Sequence, residues 1–149
     1  MLKGRFGNTS GRPYLEALVL LPDLNIKSGI SFLVDTGADR TRVMPGDAKR
    51  MGIDYGKLSP TAAVVGVGGL CRSYNTPAHV LFSEQDRRLF VYRIKIQIAE
   101  QKPEIMDAPS LLGRDILDQW RMSYNPPKNR LHFYVLSADV TIPLPKGIR

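Results

Sequence analysis

Apolar and polar positions alternate with a period of two along most of this chain. Residues 13–21 (PYLEALVLL) carry the pattern of a strand and run into the turn-forming Pro22-Asp23-Leu24-Asn25. Residues 30–34 (ISFLV) form a short apolar run, as a buried strand does. Residues 61–67 (TAAVVGV) and 78–82 (AHVLF) flank a glycine-rich stretch, and residues 89–98 (LFVYRIKIQI) alternate clearly from Val91 to Ile98. Residues 131–136 (LHFYVL) read as another strand, preceded by the turn signal Asn125-Pro126-Pro127. The tail DVTIPLP, residues 139–145, suits a final edge strand. Two segments break the period. Residues 47–52 (DAKRMG) predict one or two helical turns, with Asp47 near the start and Gly52 closing them. Residues 114–120 (RDILDQW) predict a second short helix. Many short strands with turn punctuation indicate a compact all-β domain, a barrel or a sandwich.

The bounds on this picture are few. A chain of 149 residues, 43% hydrophobic and 23% charged, suits one globular domain with a real core. No repeat, low-complexity tract or linker divides it. We expect a basic, flexible N-terminal segment over residues 1–11 and a single domain over 12–149. No apolar stretch approaches the roughly 20 residues of a membrane span. The start, MLKGRFGNTSGRPY, has no apolar run behind its basic residues, so no signal peptide is expected. Cys71 is the only cysteine and can form no intrachain disulfide. A cytoplasmic setting is the expectation.

Net charge is +7, which raises the reading of a nucleic-acid-binding β-barrel. Lys and Arg are scattered, however, with Lys49-Arg50 and Arg87-Arg88 the longest runs. A basic solvated surface is the better reading, and neither a nucleic-acid nor a membrane partner is expected. Gly66-Val67-Gly68-Gly69 lacks the Gly-Lys-Ser/Thr ending of a phosphate loop, and no helical pattern follows it. It reads instead as a β-hairpin tip. His79 and His132 lack metal-ligand spacing, so we expect no metal and no cofactor. Nothing local supports a Ser or Cys triad built on Ser31 or Cys71.

Asp35-Thr36-Gly37-Ala38 remains. Apolar Phe32-Leu33-Val34 run straight into a lone acid, and a carboxylate there is costly unless something uses it. Further along the chain comes Leu111-Leu112-Gly113, followed by Arg114-Asp115 and the start of a short helix. The glycine-rich hairpin lies between the two segments.

This order resembles the retropepsin family of retroviral-type aspartic proteases, over roughly residues 12–136. The DTGA and LLGRD segments are its specific parts, and VVGVGGL is a softer match. The resemblance implies a retropepsin-like acid-protease barrel with a flap hairpin and one or two short helices, one lobe per chain. Peptide hydrolysis by carboxylates needs two of them, one taking a proton from water while the other gives one to the carbonyl oxygen. Two such groups held close cannot both ionise easily, so they share a proton. The chain has one Asp-Thr-Gly and is short for two lobes. A second identical protomer should therefore supply Asp35 again, making a homodimeric aspartic endopeptidase acting on peptide or unfolded protein.

The resemblance also implies roles. Asp35 activates the lytic water, and Thr36 interlocks with the opposite loop. Gly37 lets the substrate backbone approach, and Ala38 lines the pocket. Gly66, Val67, Gly68 and Gly69 form the flap tip. Asp39 and Arg114 form a structural ion pair beneath the loop. Arg40 departs from the acidic or small residues associated with its position, and it is expected near a subsite. The alternative is a catalytically weak or inactive protease-like module for dimerisation or peptide binding.

Overall fold

The computed structural model describes residues 1–60, 64–66, 69–85 and 87–145, with Pro60, residues 64–66 and residues 69–71 described by backbone alone. The strands in chain order are Leu2–Lys3 (β1), Arg5–Phe6 (β2), Pro13–Leu21 (β3), Ile26–Val34 (β4), Arg42–Val43 (β5), Ser59–Pro60 (β6) and Val64–Gly66 (β7). Then come Gly69–Cys71 (β8), Ser73–Glu84 (β9), Arg88–Ala99 (β10), Leu111–Leu112 (β11), Trp120–Asn125 (β12), Arg130–Val135 (β13) and Val140–Pro143 (β14). Two α-helices, Pro45–Met51 (α1) and Arg114–Leu117 (α2), and short 3-10 turns lie between the strands.

Six strands close a barrel. β3 pairs with β4 on one side and β9 on the other, and β9 pairs with β10 along its whole length, from Arg88↔Glu84 to Ala99↔Ser73. β10 then takes β5 in parallel, β5 takes β11 antiparallel, and β11 returns to β4 in parallel. Alternate residues fill the interior: Leu15, Ala17, Val19 and Leu21 from β3, Ile30, Phe32 and Val34 from β4, and Ala78, Val80 and Phe82 from β9. β14 lies along the outer edge of β10, with Arg88↔Pro143 through Val91↔Val140.

A second sheet, ordered β1-β13-β12, packs against the barrel through Leu2, Leu131 and Phe133. Trp120 fastens the two together. Its ring meets Phe82 edge-on at 4.8 Å and tilts against Phe133 at 5.3 Å. Its Nε1–H donates to the Tyr92 hydroxyl at 2.7 Å, which donates onward to the Ser137 carbonyl at 2.7 Å. Burial pushes the Tyr92 phenol up to about 12, so it keeps its proton for this relay.

Three expectations need correcting. Residues 1–11, read as a flexible basic segment, carry two short strands. Leu2 is buried, the Gly4 N–H donates to the Leu131 carbonyl at 2.8 Å, and the Met1 ammonium meets Glu84 at 2.5 Å. The helix expected over 114–120 stops at Leu117, because Trp120 is drawn into β12 to reach Tyr92. The strand expected over 30–34 begins at Ile26, just after Asn25, whose left-handed backbone (φ 52°) closes the turn from β3. The helix expected over 47–52 is α1, opened two residues earlier by Pro45 and closed by Gly52 at φ 76°.

Candidate active site

The site begins where β4 ends. Leu33 donates to the Ser110 carbonyl at 2.8 Å, and Asp35 donates to the Leu112 carbonyl at 3.0 Å, so β11 holds the end of β4 as a neighbouring strand. The chain then turns tightly. Gly37 N–H donates to Asp35 Oδ1 at 2.9 Å, and Ala38 N–H donates to the Asp35 carbonyl at 3.1 Å. These bonds fix the carboxylate relative to its own backbone. Asp35 is half-buried, while Thr36 and Gly37 are exposed at the tip of the turn.

Behind the turn, α2 is capped by the loop rather than by a side chain. Arg114 N–H donates to the Ala38 carbonyl at 2.8 Å, and Asp115 N–H donates to the Asp39 carbonyl at 3.2 Å. Gly113 makes this approach possible. A Cβ there would lie 2.5 Å from the Arg40 carbonyl carbon and 2.6 Å from its oxygen, closer than atoms can pack. The Leu-Leu-Gly pattern is thus explained sterically: two apolar residues in the strand, then the one residue that lets the loop backbone past.

Asp39 and Arg114 are ion-paired. The pair sits at the surface rather than beneath the loop, with side chains 80% and 47% exposed. The anchor is the neighbouring half-buried acid, which the sequence reading took only for a helix opener. Asp115 accepts from Thr41 N–H at 3.1 and 3.0 Å through its two oxygens, and from Thr41 Oγ1 at 2.7 Å. Thr41 is fully buried, and its Oγ1 in turn accepts from Gly113 N–H at 3.1 Å. The available signal was positional: a Thr six residues after Asp35 and an Asp two after Gly113 are both set at the loop's base. Ser110, also fully buried, ties β11 to α1, accepting from Met44 N–H at 2.9 Å and donating to Asp47 Oδ2 at 2.6 Å.

Asp35 opens onto a cleft of about 560 Å³ that Gly37, Ala38, Arg40, Arg42 and Gln97 also line. Arg40 was anticipated there; Gln97 was not, because it reaches the cleft only through the pairing of β10 with β5. Of the flap residues, Gly66 and Gly69 face one another across the β7–β8 hairpin. Val67 and Gly68 lie outside the described residues.

A single lobe of an aspartic protease accounts for this geometry at once, the braced acidic turn and the barrel that carries it. Residues 12–125 match the family model of the retroviral aspartyl proteases, and the chain belongs to that family. The fold is similar to the crystal structure of a retropepsin-like aspartic protease from Rickettsia conorii, with a TM-score of 0.58 and 22% identity over 86% of this chain and 94% of that one. It is also similar to EIAV protease complexed with the inhibitor HBY-793, with a TM-score of 0.49 and 23% identity over 75% of this chain and 90% of that one. No curated protein sequence matches the chain. The all-β barrel is therefore retropepsin-like.

Proposed function

We propose that the chain is a homodimeric aspartic endopeptidase in which Asp35 from each of two protomers activates one water. The observation that carries this reading is the state of the cleft's acids. Asp39 is committed to Arg114, whereas the Asp35 carboxylate, among the described residues, accepts only from Gly37 N–H beside an exposed tip. One protomer thus offers one carboxylate for chemistry that needs two. A twofold copy meeting tip to tip supplies the other, with Thr36 at the contact.

In that arrangement one Asp35 is ionised and the other protonated. The ionised carboxylate takes a proton from the water as its oxygen bonds to the scissile carbonyl carbon. The protonated one gives its proton to the carbonyl oxygen, so a neutral gem-diol forms. Collapse of the diol breaks the C–N bond as a proton passes to the leaving nitrogen, yielding an acid and an amine. The hairpin carrying Gly66, Val67, Gly68 and Gly69 would cover the peptide and keep bulk water out. Asp35→Asn tests the reading. Cleavage of an unstructured protein at mildly acidic pH should fall by at least about 100-fold, with the fold intact by circular dichroism. Undiminished cleavage by that variant would refute it. No cleavage by the native chain would leave a peptide-binding module.

A further inference from the structure

We infer that the cleft selects substrates with an acidic side chain, Asp or Glu, close to the scissile bond, and that Arg42 and Arg40 bind its carboxylate. The inference rests on the peptidase reading above, because it places a peptide alongside Asp35.

Arg42 lies on β5, opposite Leu111 on one side and Gln97 on the other. Its Nε and Nη2 donate to Gln97 Oε1 at 3.3 and 3.0 Å. Arg40 donates through Nη2 to the Lys95 carbonyl at 2.8 Å. Both guanidinium groups are therefore held by β10, on the barrel wall, through neutral acceptors. Neither forms an ion pair among the described residues. A guanidinium has five N–H donors, so among the described residues most of Arg40's and some of Arg42's are uncommitted. Both side chains are half-buried, where a charge without a counter-charge is costly.

The acids already in the cleft do not supply that counter-charge. Asp39 is taken by Arg114, and Asp35 turns back on Gly37 N–H. Two fixed cations thus line a cleft in which neither Asp35 nor Asp39 is paired with them, and what is missing is an anion from outside. A planar carboxylate matches the guanidinium fork with two parallel bonds. Leu111 in the same cleft offers an apolar contact for the methylenes of Glu. Since the groups are already oriented, little ordering is needed on binding. A peptide crossing the cleft over Asp35 is the source that puts such a carboxylate within reach.

Binding to the Asp35→Asn chain tests this without cleavage. The probes are fluorescent, C-terminally amidated decapeptides in which one Glu replaces Gln at each position in turn, read by anisotropy. At one or more positions Glu should bind about tenfold tighter than Gln, as expected of charged hydrogen bonds, and high salt should shrink the advantage. Arg42→Gln should remove most of it, and Arg42→Lys should keep part, separating lost charge from lost fold. Equal binding of Glu and Gln peptides at every position, or no Glu-dependent binding at all, overturns the inference. So does a preference that survives Arg40→Gln with Arg42→Gln. Cleavage by the native chain, abolished by Asp35→Asn, would stand unaffected by any of these failures.

Discussion

Arg114 and Asp115 are neighbours in sequence and opposite in energetic weight. The Arg114–Asp39 pair is solvent-exposed on both sides, and such pairs contribute about 1 kcal/mol or less. Asp115 receives the N–H and the hydroxyl of a fully buried threonine, so its removal leaves two polar groups of Thr41 without an acceptor. Each such orphaned group costs about 1–3 kcal/mol. We therefore expect Asp115→Ala to cost about 2–4 kcal/mol in urea unfolding, and Arg114→Ala less than about 1 kcal/mol. Equal losses, or a larger loss at Arg114, would show that the exposed pair anchors the loop after all. The same contrast explains which of the two residues was legible in the sequence. Family resemblance pointed to Arg114, and nothing in local pattern distinguishes an Asp that opens a helix from one that also accepts from a buried loop residue behind it.

At the scale of elements, the loop depends on β11 passing between β4 and β5. Gly113→Ala would push a Cβ into the Arg40 backbone, which cannot swing aside as a side-chain tip does. Overpacking of this kind costs about 1–3 kcal/mol. It should also displace the Ala38 carbonyl from Arg114 N–H, so under the proposed mechanism peptide cleavage should fall further than thermal stability alone accounts for. A fully active Gly113→Ala protein would refute the steric argument. A second junction carries a pH prediction. Glu84 ends β9, is only 5% exposed, and is bonded by the Met1 ammonium and by Arg88 at 2.8 and 3.1 Å. Burial opposes its charge, but the hydrogen bonds from the ammonium and Arg88 outweigh it, and its pKa lies below the ordinary 4.5. The folded state thus holds this proton less tightly than the unfolded chain. Its stabilisation is complete above 4.5 and fades as pH falls through the lowered folded value. Glu84→Gln should destabilise the protein near neutrality, with the gap to the native chain narrowing well below 4.5; a gap that widened on acidification would refute this assignment. Long strands such as β3 and β10 were legible because their alternation reports the barrel interior directly, whereas of β9 only residues 78–82 were. β1, β2, β5 and β11 were not legible as strands, since two residues carry no period and exist as strands only through their partners. The spacing of Ile116, Leu117 and Trp120 reads as helical, and it is the pairing of Trp120 with Val135, together with the bond to Tyr92, that places Trp120 in β12.

At the scale of the whole molecule, the number of Asp-Thr-Gly motifs counts the lobes. One motif and one closed barrel leave a lone Asp35, so under the proposed mechanism the active species contains two chains. Specific activity should then fall on dilution below the dimer dissociation constant, because only the paired state holds both carboxylates. Dilution alone can mislead through adsorption or unfolding, so a mixing experiment is the sharper test. Native chain at a concentration that keeps it paired is incubated with an equal amount of Asp35→Asn chain until partners exchange. Random pairing makes about a quarter of the dimers fully native, and activity per native chain drops to about half. Mixed dimers hold one ionisable Asp35 opposite an amide, which cannot share or donate the proton that the carbonyl oxygen requires. A chain acting alone would keep its full activity in the mixture, as would a dimer with two independent sites. Either result would remove the shared-water mechanism while leaving the fold and the family as they are.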